Sequence, residues 1–134
     1  DINYVKEVDL TDFKLRTEVL SIHIPLTYET SHLFDYDYLN SFRNLKYIIN
    51  MARGEVLSLK DLNAIMCEGN LSGAALDVLE NEKLNTLTSE EQKIYQSLFD
   101  HEHTIFSPHI AGWTYESYER INHVLAKKIS ELKF

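Results

Sequence analysis

Four short apolar runs, each followed by helical periodicity, leave this chain few folds to choose from. Val19-Leu20-Ser21-Ile22-His23-Ile24 runs up to Pro25, which cannot continue a ladder, so a strand ending near Ile24 is expected. Leu33, Tyr36, Leu39 and Phe42 then recur at helical spacing. Tyr47-Ile48-Ile49-Asn50 reads as a buried strand that stops abruptly at a polar residue. Ser58, with Asp61 at the N3 position, opens a helix whose apolar face is Leu59, Leu62, Ile65 and Met66 and which ends at Gly69. Gly73 to Val78 is a strand of small residues, and Ser89, with Gln92 three residues on, opens a helix through Phe99. His103 to Phe106 is a brief last strand, and Thr114 caps a helix with Ile121, Leu125 and Ile129 on one face. The segment from Asp1 to Phe13 has no commanding period. Strictly alternating strands and helices imply right-handed crossovers and a parallel sheet covered on both faces, that is, an α/β chain forming one half of a doubly wound sheet.

Composition narrows the function more than the fold. The 13 basic and 21 acidic residues give a net charge of -8 with no basic run, which argues against a nucleic-acid surface. No apolar stretch approaches the roughly 20 residues that span a bilayer, and the first residues do not look like a signal peptide, so the expected compartment is the cytoplasm. Cys67 stands alone in a helical pattern and reads as a small buried residue. His32, His101, His103 and His123 lack ligand spacing and read as surface or helix residues, and no metal site is expected.

Three polar residues trail three successive strands: Arg53, Glu82 and His109. Residues beyond the carboxyl ends of parallel strands converge on one crevice even when far apart in sequence. A guanidinium can hold a carboxylate in a bidentate fork, an imidazole can carry a proton near neutral pH, and a carboxylate can orient that imidazole. Together they suit reduction of a 2-oxo acid. Glu80 is the unremarkable acidic neighbour in this reading, and Trp113, Tyr115 and Tyr118 are packing or interface aromatics.

The stretches Ser21-Ile22-His23-Ile24-Pro25-Leu26-Thr27, Ile49-Asn50-Met51-Ala52-Arg53-Gly54, Gly73-Ala74-Ala75-Leu76-Asp77-Val78-Leu79-Glu80-Asn81-Glu82 and Ser107-Pro108-His109-Ile110-Ala111-Gly112-Trp113-Thr114 occur in that order. They resemble the successive signatures of the NAD-dependent D-isomer-specific 2-hydroxyacid dehydrogenases, the D-lactate and D-phosphoglycerate branch above all. The resemblance implies that residues 1–134 are a partial, Rossmann-like NAD-binding domain with a C-terminal helix and no second domain. It further implies that Arg53 binds the substrate carboxylate and carbonyl, that His109 is the acid/base, and that Glu82 pairs with it. NAD would be held by the Met51 and Ala52 backbone, Arg53, Asp77 and His109, with His23, Pro25, Thr30 and the loop of Ile110, Ala111 and Gly112 lining its path. The implied substrate is a small 2-oxo or 2-hydroxy acid.

Departures from the family pattern carry their own expectations. The G-x-G-x-x-G phosphate loop and the substrate domain are not in this sequence, so it reads as the C-terminal part of such an enzyme, inactive on its own. A non-enzymatic NAD-sensing module of the corepressor kind, or a truncated remnant, is the alternative. Asp1 could stand for the acid that grips the adenine ribose. Lys83 occupies a position where many members have proline, and Asn85 to Asp100 looks like an insertion. A half-sheet exposes apolar surface, so a homo-oligomer, most simply a dimer, is expected.

Overall fold

The computed structural model describes residues 5–132, and Asp1 lies outside them. One parallel sheet contains β1 (Val19–Ile22), β2 (Tyr47–Asn50), β3 (Gly73–Leu76) and β4 (Thr104–Phe106), side by side in chain order. The helices are α1 (Leu10–Arg16), α2 (Tyr36–Asn40), α3 (Leu59–Cys67), α4 (Ser89–Asp100) and α5 (Tyr115–Glu131). Ile22 pairs with Asn50, Asn50 with Leu76 and Leu76 with Phe106. All four strands therefore finish in one row, and the loops that follow them leave from a common rim.

The same register sorts the side chains by face, because successive residues of a strand point to opposite sides. Leu20, Ile22, Ile48, Ala74 and Leu76 are buried, together with Leu59, Leu62, Ile65 and Met66 of α3 and Tyr95 and Leu98 of α4. On the alternate positions Val19, Tyr47 and Ile105 are 53%, 47% and 69% exposed. Among the described residues the sheet is therefore covered on one face, not on both as expected. Strands laid down in sequence order through right-handed crossovers put every connecting helix on one side, and the winding does not reverse among the described residues.

Local chemistry places most of the element ends. Ser58 Oγ accepts the Asp61 N–H at 3.3 Å to start α3, and Gly69, at φ 77, follows its last turn. The expected start of α4 moves back one residue: Thr88 is the N-cap, and Glu91 returns a 2.7 Å bond to its N–H, completing a capping box. β1 stops at Ile22 and β3 at Leu76, each two residues before the expected end. The helix expected over Leu33 to Phe42 shrinks to α2, because Phe34 instead bridges to Leu57 and its N–H goes to the Val56 carbonyl. Helix α1 had no periodic signal and buries no residue, yet Asp9 caps it through the Asp12 N–H, and Phe13 meets the edge of Phe42. Cys67 is exposed, not buried: it ends α3 at the margin of its contact with α4, where its Sγ lies 4.0 Å from Ser97 Oγ. No helix among the described residues is long and apolar enough to cross a membrane.

Candidate active site

The loop after β2 is built on Asn50, which is 1% exposed. A buried amide must find partners, and this one uses both ends: Oδ1 accepts the Ala52 N–H and Nδ2 donates to the Arg53 carbonyl, each at 3.0 Å. Met51, Ala52 and Arg53 are thereby folded over the end of their own strand. Arg53 is exposed, and its Nη1 donates to the Ala52 carbonyl at 2.6 Å. The turn Gly54–Val56 follows at once, and Gly54 lies so close to the next loop that a Cβ there would meet the Leu79 carbonyl oxygen at 2.0 Å.

The loop after β3 carries Glu82 and is tied on both flanks. Asn81 donates its N–H to the Tyr95 hydroxyl of α4 at 2.9 Å, and Lys83 donates its N–H to Asn81 Oδ1 at 3.0 Å. The second bond closes a turn that proline, lacking an N–H, could not make, which gives the lysine a local structural role.

The loop after β4 hangs on Asp77, which is 6% exposed. Its Oδ1 accepts from the Ser107 hydroxyl at 2.5 Å and the Ile110 N–H at 2.9 Å, and its Oδ2 from the Ala111 N–H at 3.0 Å. Burial pushes this carboxyl up, but Ser107, Ala111, Ile110 and the nearby His109 outweigh it and hold it below the ordinary aspartate value. The His109 N–H goes to the Asp77 carbonyl, and His109 adopts φ 54, a left-handed conformation uncommon for a residue with a side chain. In that conformation His109 Nδ1 meets Glu82 Oε1 at 2.9 Å. Both side chains are half exposed.

Arg53, Glu82 and His109 line one cleft of about 390 Å³ at the rim, together with Gly54, Leu79 and Glu80. Arg53 also borders a second hollow of about 480 Å³ with His23, Pro25, Met51 and Ala52. The candidate residues that follow β1 and β2 thus share one continuous rim with the Glu82 and His109 pair. Thr30 is not among those lining residues. Its hydroxyl accepts the Thr27 N–H and donates to the Pro25 carbonyl, both at 2.7 Å, so it shapes the loop that bears Pro25. His23 Nε2 sits 2.7 Å from Ser21 Oγ. Asp77 points its oxygens at the loop of residues 107–111, and Gly112 is open, with no atom within 4 Å of where a Cβ would stand. Among the described residues no three His, Cys, Asp or Glu side chains are grouped as a metal ion would need.

Three residues that matter to this geometry carried no role in the sequence reading. Asn50 was visible as a polar residue closing an apolar strand, where an unpaired amide would be costly. Ser107 and Glu80 had no such signal, since their partners lie 30 and at least 21 residues away.

A parallel α/β sheet with polar loops gathered at its carboxyl rim defines a ligand-binding fold of the dinucleotide class. Residues 1–111 match the family described as D-isomer specific 2-hydroxyacid dehydrogenase, NAD binding domain, and the chain belongs to that family. It is 34% identical over 121 residues to a glyoxylate reductase of Thermofilum pendens, covering 90% of this chain and 33% of that protein. It is 33% identical over 109 residues to a D-lactate dehydrogenase of Staphylococcus aureus, covering 78% of this chain and 33% of the relative. Among solved structures, the D-lactate dehydrogenase of Aquifex aeolicus complexed with NAD and lactic acid superposes with a TM-score of 0.77 at 28% identity, over 92% of this chain and 39% of that one. The chain thus spans about a third of the length of the curated relatives it matches.

Proposed function

We propose that these residues form the nicotinamide-facing half of an NAD-dependent oxidoreductase acting on the CH–OH group of D-2-hydroxy acids. The observation that carries the reading is the 2.9 Å contact between Glu82 and His109 in a cleft that Arg53 also lines. Arg53 holds the carboxylate of a small 2-oxo acid and polarises its carbonyl. Glu82 fixes the imidazole through Nδ1, which leaves Nε2 to give a proton to the developing alkoxide oxygen. When bound, NADH supplies the hydride.

The residues present fit the nicotinamide end of that cofactor. Met51 and Ile110, both 43% exposed, offer apolar surface on the loops after β2 and β4. The Met51 and Ala52 backbone, His23, Pro25, Arg53, His109, Ala111 and Gly112 border the path, while Thr30 and Asp77 hold the loops in shape. No G-x-G-x-x-G occurs in this sequence to receive a pyrophosphate, so the 134-residue chain by itself binds NADH weakly and turns over nothing.

The test takes the longest natural chain that contains these residues and follows NADH oxidation with small 2-oxo acids such as pyruvate and glyoxylate. Arg53→Ala and His109→Ala should each lower kcat/KM by about a thousandfold or more, and Glu82→Gln by about tenfold to a hundredfold. Full activity in either of the first two variants defeats the assignment.

A further inference from the structure

Glu80 precedes Glu82 by two residues and looks, in the sequence, like a solvated neighbour. Its carboxylate is instead shared between two distant segments. Oε2 accepts the backbone N–H of Leu59, the first residue of α3, at 2.9 Å, and Oε1 lies 2.5 Å from Nε2 of His32. The side chain is 26% exposed, against 50% for Glu82.

Each of those contacts leads back to the base of Arg53. His32 is itself held at φ 50, with its N–H on the Glu55 carbonyl at 2.7 Å. From there the chain is stitched to the turn that follows Arg53: the Phe34 N–H goes to the Val56 carbonyl at 3.1 Å and the Ser58 N–H to the Phe34 carbonyl at 3.2 Å. On the other side, the ideal Cβ position of Gly54 falls 2.5 Å from the Glu80 backbone nitrogen, so the two loops touch main chain to main chain. Glu80 therefore closes a ring that runs through His32, the turn after Arg53, the start of α3 and the loop that bears Glu82.

We propose that Glu80 is a positioning residue of the Arg53, Glu82 and His109 site, setting where the Arg53 loop stands against the Glu82 loop. What that site does rests on the function proposed above; the brace itself does not. A carboxylate suits the place because it accepts two bonds along different directions and because negative charge is favoured at the start of a helix. The length matters as well. Aspartate, one methylene shorter, cannot reach both Leu59 and His32 from the same backbone position. Glutamine keeps the reach, accepting from Leu59 through Oε1 and donating to a neutral His32 ring through Nε2.

The experiment uses the 134-residue chain with oxamate, a small 2-oxo acid analogue, as the probe, and reads two signals by NMR: the affinity for oxamate and the Arg53 Nε–H resonance, assigned with Arg53→Lys. Glu80→Ala and Glu80→Asp should weaken oxamate binding by about tenfold and broaden or shift the Arg53 resonance, while Glu80→Gln stays within about twofold of wild type. Ser58→Ala is the control for mere helix stability, because it removes the other cap of α3 without touching Glu80. It should leave both signals unchanged. The proposal is overturned if Glu80→Asp binds like wild type with an unchanged Arg53 resonance, or if Ser58→Ala reproduces the losses. If the wild-type chain alone ignores oxamate, the Arg53 resonance across the same variants decides the role of Glu80 by itself, and the functional reading stands or falls on the longest natural chain, as above. Should Glu80→Ala not fold, the aspartate and glutamine variants carry the comparison.

Discussion

The Asp77 carboxylate and the Ala111 backbone N–H meet at 3.0 Å, and this bond, with its companions to Ile110 and Ser107, fixes the loop that presents His109. Replacing Asp77 by Asn removes the charge and turns an N–H₂ group toward donors. A buried charged acceptor with three partners is worth about 2 kcal/mol or more, so Asp77→Asn should lower the unfolding free energy by about that amount. Chemical denaturation at neutral pH checks it.

The same residue predicts a pH dependence with a definite sign. The folded carboxyl titrates below its ordinary value of 3.8, so its stabilising contribution is fully present above that value and is lost as pH falls through the lower, folded one. The stability gap between wild type and Asp77→Asn should therefore be constant well above 3.8 and shrink as the pH falls below it. A gap that widens on acidification contradicts the arrangement.

Gly54→Ala tests the contact between the Arg53 and Glu82 loops. A Cβ there would stand 2.0 Å and 2.1 Å from the Leu79 carbonyl oxygen and carbon, which are backbone atoms that cannot swing aside. The loops must separate, at a cost of about 2–3 kcal/mol. Thermal unfolding reads the cost, and an unchanged midpoint argues against the close approach.

Thr104 offers a change in the opposite direction. Its Oγ1 is the one buried side-chain polar atom without a hydrogen-bond partner among the described residues, and it sits on β4, where a β-branched side chain belongs. Thr104→Val keeps the shape and removes the unsatisfied hydroxyl. It should leave stability unchanged or raise it by up to about 1 kcal/mol.

How much of this could be read from the residues differs by level. The strands and the major helices follow from apolar runs and periodicity, which are local, and the meeting of Arg53, Glu82 and His109 follows from parallel strands ending together. The short α1 was invisible because it buries no residue: Phe13 meets the edge of Phe42 and Lys14 Nζ lies 4.0 Å over the Tyr38 ring, contacts that leave no apolar period in the sequence. The loss of most of the helix around Leu33 came from Phe34 bridging to Leu57, a contact with no local signature. Helix α5 shows the converse: Ile121, Leu125 and Ile129 mark an apolar stripe, and the helix forms, but all three are more than half exposed, since periodicity announces a face without supplying what it packs on. Glu80 and Ser107 escaped because a carboxylate or hydroxyl in a loop gives no hint of a partner far along the chain.

The uncovered sheet face leads to the last prediction. Val19, Tyr47 and Ile105 are exposed on β1, β2 and β4, and with Ile49 of β2 and Ala75 of β3 they border a hollow of about 500 Å³. Contiguous apolar surface of that kind favours burial against another surface, and in a solution of the 134-residue chain alone the surface at hand is a second copy. The net charge of -8 opposes that approach through long-range repulsion, which salt screens. Sedimentation velocity should therefore find association that strengthens as salt is raised from about 20 mM to 0.5 M. A lysine on this face would have to be desolvated on contact, so Ile105→Lys should weaken self-association by about tenfold or more, even though it lowers the net charge. A wild-type chain that stays monomeric at high salt, or an Ile105→Lys variant that associates as well as wild type, shows that copies of this chain do not meet through the open face.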